Sequence, residues 1–62
     1  MYILIRLTTG EAVTHTSPSG QRAFICFDSP DQTQEYIQAN PGHYKALHLT
    51  KRELSLIKTI PW

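Results

Sequence analysis

The residues of this chain that could do chemistry are few, and their spacing does not group them. It has one cysteine, Cys26, and three histidines, His15, His43 and His48. Cys26 lies inside the apolar run RAFICF with no histidine or cation next to it. A reactive thiol needs an exposed, electropositive setting, so Cys26 reads as a buried structural thiol. His43 and His48 are separated by an odd number of positions on an expected strand, which points them to opposite faces. They cannot both ligate one metal, and the usual Cys/His frameworks are absent. No metal and no cofactor is expected.

Three carboxylates, Asp28, Asp31 and Glu35, gather around an expected helix start, with Asp31 and Glu35 one turn apart on the same face. Acid–base work by such a pair requires surroundings that push the two pKa values apart. The plainer reading is capping and helix-start charge. Ser17, Ser19, Gly20 and Arg22 could cradle a phosphate through backbone N–H groups and one guanidinium. They match no Gly-rich phosphate motif and read as a turn. No catalytic residue is assigned, and the expectation is a non-enzymatic protein.

The remaining chemical class is polyanion binding. Lys45, Lys51, Arg52 and Lys58 fall in the C-terminal third, interleaved with His43, Tyr44 and His48. Basic residues among aromatics can follow phosphates and stack bases. Glu53 stands among them, and a net charge of +1 provides no strong field. Nucleic-acid binding through these four basic residues is therefore the alternative reading.

The elements that must position these residues are clearer. Tyr2 to Leu7 reads as a strand, with Ile3, Ile5 and Leu7 on one face and Tyr2, Leu4 and Arg6 on the other. Thr8-Thr9-Gly10-Glu11 is a turn, Ala12 to Thr16 a weaker strand, and Ser17-Pro18-Ser19-Gly20 a second turn. Arg22 to Phe27 is apolar on both faces, as a central strand is. Asp28 or Ser29 caps a helix that begins at Pro30 and ends at Asn40-Pro41-Gly42. Tyr36 and Ile37, with Thr33 and Asn40, make its narrow inner stripe. Tyr44 to Leu49 alternates as a fourth strand. Thr50 and Glu53 form a capping box for a second helix, from about Lys51 to Thr59, that carries Leu54, Leu56 and Ile57, with Ile60 just beyond.

The expected fold class is α+β: a small three- to four-stranded, mostly antiparallel sheet with two helices, in the order β-β-β-α-β-α. The first two strands should form a hairpin, and the second should pair with the third. The fourth, returning after the helix, can lie parallel to the third or to the first by a right-handed crossover. One short helix covers one sheet face. The other face, expected to show Tyr2, Leu4, Phe24 and Cys26 or the opposite set, needs the second helix, Trp62 or another chain.

Length and composition agree with one domain over residues 1–62. A chain this short buries about 60% of its unfolded surface and is marginally stable. With one cysteine it has no internal disulfide, and its 40% apolar content is too high for disorder. No basic, apolar and cleavable leader pattern is present, and no apolar run approaches the roughly 20 residues of a membrane span. A lone thiol fits a reducing compartment. A complete, cytoplasmic small protein is expected, acting as an accessory, adaptor or inhibitor that binds a protein partner or a second copy of itself. The expected anchors are Tyr2, Tyr44, Leu56 and Trp62, since aromatic side chains dominate interface energetics. No small-molecule ligand and no membrane contact is expected.

Overall fold

A computed structural model describes the whole chain, Met1–Trp62. The fold is mixed α+β with two helices, in the order β1 (Tyr2–Arg6), β2 (Thr14–Thr16), β3 (Arg22–Cys26), α1 (Pro30–Ala39), β4 (Tyr44–His48), α2 (Lys51–Leu54) and β5 (Thr59–Pro61). No helix is long and apolar enough to cross a membrane.

The strands form two sheets, β1-β4 and β2-β3-β5. The stretch from Glu11 to Thr16 joins them. Its first part closes a hairpin on β1, with the Arg6 N–H donating to the Glu11 carbonyl (2.9 Å) and the Val13 N–H to that of Leu4 (2.8 Å). Gly10 turns this hairpin at φ 73°, a conformation that costs glycine little. At Val13 the chain then changes partner. The Val13 carbonyl accepts from Ile25, and β2 continues antiparallel along β3, with Thr14 opposite Phe24. The expected first hairpin therefore survives for its turn-proximal half only.

β4 corrects the expected parallel crossover. It runs antiparallel to β1, with Tyr2 opposite His48 and Arg6 opposite Tyr44. The second helix is also corrected, since α2 is a single turn. Its capping box forms as expected, with Thr50 Oγ1 accepting from the Glu53 N–H (3.2 Å) and Glu53 Oε1 from the Thr50 N–H (3.1 Å). A turn continues through Leu56 and Ile57, whose N–H groups donate to the Glu53 and Leu54 carbonyls, and residues 59–61 then lie parallel to β3 as β5. The open edge of β3 offers hydrogen bonds that a lone helix end does not. The Phe24 N–H donates to the Lys58 carbonyl (2.9 Å) and the Trp62 N–H to that of Cys26 (3.1 Å). Alternation then points residue 61 away from β3, so Pro61 removes no ladder bond.

α1 follows its sequence signals. Ser29 is the N-cap, Pro30 opens the first turn, and the Asn40 N–H donates back to the Tyr36 carbonyl (2.8 Å). Thr33 and Tyr36 are its buried residues, and the Thr33 hydroxyl donates to the Pro30 carbonyl (2.6 Å).

Two apolar clusters result. Under α1 lie Leu4, Val13, Ile25, Phe27 and Tyr36, flanked by Tyr2, Ile37, Tyr44 and Ile60. On the opposite side lie Ile3, Cys26 and Leu49, flanked by Ile5, Ala12, Phe24, Leu54 and Ile57. The bridge between Tyr2 and Phe27 sets this phase. It aligns Ile3 with Cys26 and Leu4 with Ile25, correcting the expected grouping of Tyr2 and Leu4 with Phe24 and Cys26. The face of Phe24 and Cys26 is thus closed by β1, Leu49 and the short α2 segment.

Candidate functional site

The cysteine, histidines, carboxylates and turn serines are held apart or already engaged. Cys26 is buried between Ile3 and Leu49, an apolar setting that gives a thiolate no stabilising charge. No group of three His, Cys, Asp or Glu side chains is placed to hold a metal ion. Asp28 lies at the mouth of α1, where its N–H donates to Gln32 Oε1 (2.8 Å), and Asp31 occupies the first turn. Both serine hydroxyls of the second turn are occupied. Ser17 Oγ and Ser19 Oγ share a hydrogen bond of 2.8 Å, and the Gln21 N–H donates to Ser17 Oγ (3.2 Å). Arg22 reaches across to Thr14 Oγ1 (3.4 Å).

One cleft is present, of about 210 Å³, lined by Arg6, Thr8, Pro41, Gly42, His43 and Tyr44. The Tyr44 hydroxyl donates to the Asn40 carbonyl (2.9 Å). Gly42 packs close beneath the Tyr44 ring, and a Cβ there would stand 3.2 Å from it. The cleft is smaller than the several hundred Å³ typical of small-molecule sites.

The basic residues lie on three separate parts of the chain. Lys45 is on β4, Lys51 and Arg52 are on α2, and the Lys58 ammonium donates to Gln21 Oε1 (2.6 Å) beside β3. Glu53 stays ionised below the ordinary glutamate range. The Thr50 N–H bonded to its carboxylate is the main cause, and the Thr50 hydroxyl adds to it.

Among the expected protein-binding anchors, Tyr44 and Trp62 converge on Tyr36, at centroid distances of 6.1 and 5.9 Å. Trp62 also meets the buried Phe27 at 5.5 Å, yet remains 45% exposed. Tyr2 stands edge-on to His48 at 5.1 Å. Leu56 is 79% exposed and belongs to neither apolar cluster.

A further apolar surface lies on β1 and β4. Leu47 lies opposite Ile3 and Lys45 opposite Ile5. Leu7 follows β1 directly, its N–H donating to the His43 carbonyl at the end of the ladder. Leu54 and Ile57 pack against this cluster from the α2 side, but Leu7 and Leu47 remain exposed, beside half-buried Ile5. The alternation of Ile3, Ile5 and Leu7 was the available signal. Leu47 needed the β1–β4 register before it could be placed beside them.

No family model, curated protein or solved structure matches the chain.

Proposed function

We propose that this chain is a small, non-enzymatic protein-binding module, of the accessory, adaptor or inhibitor kind. Its contact centres on the apolar face of Ile5, Leu7 and Leu47, rimmed by His43 and Lys45. The observation that carries the reading is the mismatch between this face and its cover. One turn of helix packs near Leu49 and Cys26, and Leu7 and Leu47 are left exposed. A contiguous apolar area with a charged rim is what protein partners desolvate. Trp62 and Tyr44, on the α1 side, form a second aromatic area for the same role. A cytoplasmic setting belongs to the proposal and is supported by the single reduced thiol.

The test is affinity capture from the native host with mass spectrometric identification, run with the natural chain and with Leu7→Glu. Leu7 is exposed, so the variant keeps the fold. A partner retained by the natural chain and lost with Leu7→Glu supports the reading. Equal recovery by both removes this face from the proposal.

A further inference from the structure

β4 has one edge on β1 and one edge on solvent. The Leu49 N–H donates to the Met1 carbonyl and the Leu7 N–H to the His43 carbonyl, both at the outer ends of the β1–β4 ladder. In an antiparallel ladder the bonded positions alternate. Residues 43, 45, 47 and 49 therefore turn their backbone groups toward β1, and Tyr44, Ala46 and His48 turn theirs outward. These three N–H groups and three carbonyls have no partner within the chain. From Lys45 to His48 the strand is exposed. The other open edges differ. β2 is three residues long, and β5 presents Pro61 on its outer side. Short strands, proline and charged side chains, lysine above all, are the usual protection of an edge; β4 has only the last, in Lys45, whose backbone groups face β1.

We propose that the outer edge of β4 pairs with β4 of a second copy of this chain, antiparallel and centred on Ala46. The proposal deepens the protein-binding reading and rests on it. The occupant follows from self-complementarity. In a two-fold antiparallel pair, only centring on Ala46 sets Tyr44 opposite His48 of the second copy, Ala46 opposite Ala46, and His48 opposite Tyr44. All six outward groups are then bonded. Shifting the centre to Lys45 leaves two of these groups unmatched within the strand and sets Lys45 directly against its own copy, a like-charge pair that costs stability. Centring on Leu47 also leaves two groups unmatched. In the Ala46 register, Lys45 faces Leu47, so its aliphatic stem covers a side chain that is otherwise 43% exposed. Tyr44 meets an imidazole, as Tyr2 already does within the chain. The methyl group of Ala46 allows close approach at the axis. The product is a continuous four-stranded sheet, β1-β4-β4-β1, with both α1 helices on one face.

The experiment is sedimentation equilibrium with amide hydrogen exchange by NMR, at concentrations up to about 1 mM, where dissociation constants in the weak millimolar range register. The expected result is a dimer whose Tyr44, Ala46 and His48 amides exchange at least about tenfold more slowly as concentration rises, since each opening must break the pair. Leu47→Lys, which places a lysine opposite Lys45 of the second copy, should return the chain to monomer with its amide spectrum otherwise intact. Ala46→Pro should do the same by deleting the central donor. A monomer at the highest concentration overturns the proposal. So does a dimer whose three amides exchange freely, or one that Leu47→Lys leaves intact while the variant remains folded. Partner capture that depends on Leu7, seen with a monomeric chain, would overturn the edge pairing alone. A β4-paired dimer with no Leu7-dependent partner would overturn the apolar-face reading alone.

Discussion

Trp62→Ala is the sharpest probe of how this small core is closed. Trp62 follows β5, donates its N–H to Cys26, and leans its ring on Phe27 and Tyr36. Its exposure of 45% leaves just over half of the residue covered. For a side chain that buries up to about 250 Å² when fully enclosed, that is about 135 Å². At about 25 cal/mol per Å² this amounts to roughly 3 kcal/mol. A compact unfolded chain lowers the figure by some tenths, to about 2–3 kcal/mol. A chain of this length has about 3–9 kcal/mol of total stability, so the loss is a large share. Urea unfolding followed by far-ultraviolet circular dichroism should show the midpoint falling by about 2 M, taking a slope near 1 kcal/mol per M for a small domain. Leu56→Ala, 79% exposed, is the control and should change stability by no more than about 0.5 kcal/mol. A Trp62→Ala change as small as the control's would refute the reasoning. It would mean that the last residues are frayed and that β5 does not hold the ring on the core.

Two further outcomes follow from local geometry. Gly20 holds φ 89° with open space where a Cβ would stand, so Gly20→Ala meets only conformational strain; it should cost about 1–2 kcal/mol and lower the thermal midpoint by about 4–8 °C per kcal/mol. The Glu53 carboxylate is held below its ordinary range by Thr50, so its stabilisation of α2 is present above the unfolded pKa and is lost as pH falls through the lower, folded value. An NMR titration of the Thr50 and Glu53 amides should give a midpoint below the ordinary glutamate value of about 4.3, and a midpoint at or above it would reject the capping contact as a source of stability.

The parts legible in the sequence were those written in local chemistry. Ser29-Pro30 and Asn40 bound α1 because a cap, a preset φ and a terminating amide act within a few residues. β1 and β3 were legible because an apolar run bounded by turns has few other solutions. The C-terminal stretch was not. Leu54, Leu56, Ile57 and Ile60 fit a helical face, and the capping box does start a helix. What ends it after one turn is the unpaired edge of β3, a partner far away along the chain. The same is true of the phase between β1 and β3. Alternation places Ile3 with Ile5 and Phe24 with Cys26, but only the bridge between Tyr2 and Phe27 shows that both pairs share one side. The candidate surface was missed for that reason. Residue type alone points to the aromatic side chains as anchors, whereas Leu47 comes to lie beside Ile3 only through register.

The parallel pairing of β5 with β3 also bears on how fast the molecule forms and falls apart. Thr14 meets Phe24 across ten positions of chain, whereas Phe24 meets Thr59 across thirty-five, as the difference of their numbers shows. Closing the longer loop costs roughly 1 kcal/mol more in chain entropy, from the logarithmic dependence on length. Chain entropy therefore favours the β2–β3 hairpin before β5, and a late-docking β5 would join after the rate-limiting barrier. Interactions made after that barrier set the unfolding rate and leave the folding rate nearly unchanged. The C-terminal strand and its tryptophan would then act as a latch, and Trp62→Ala should unfold faster than the natural chain in stopped-flow kinetics while refolding at nearly the same rate.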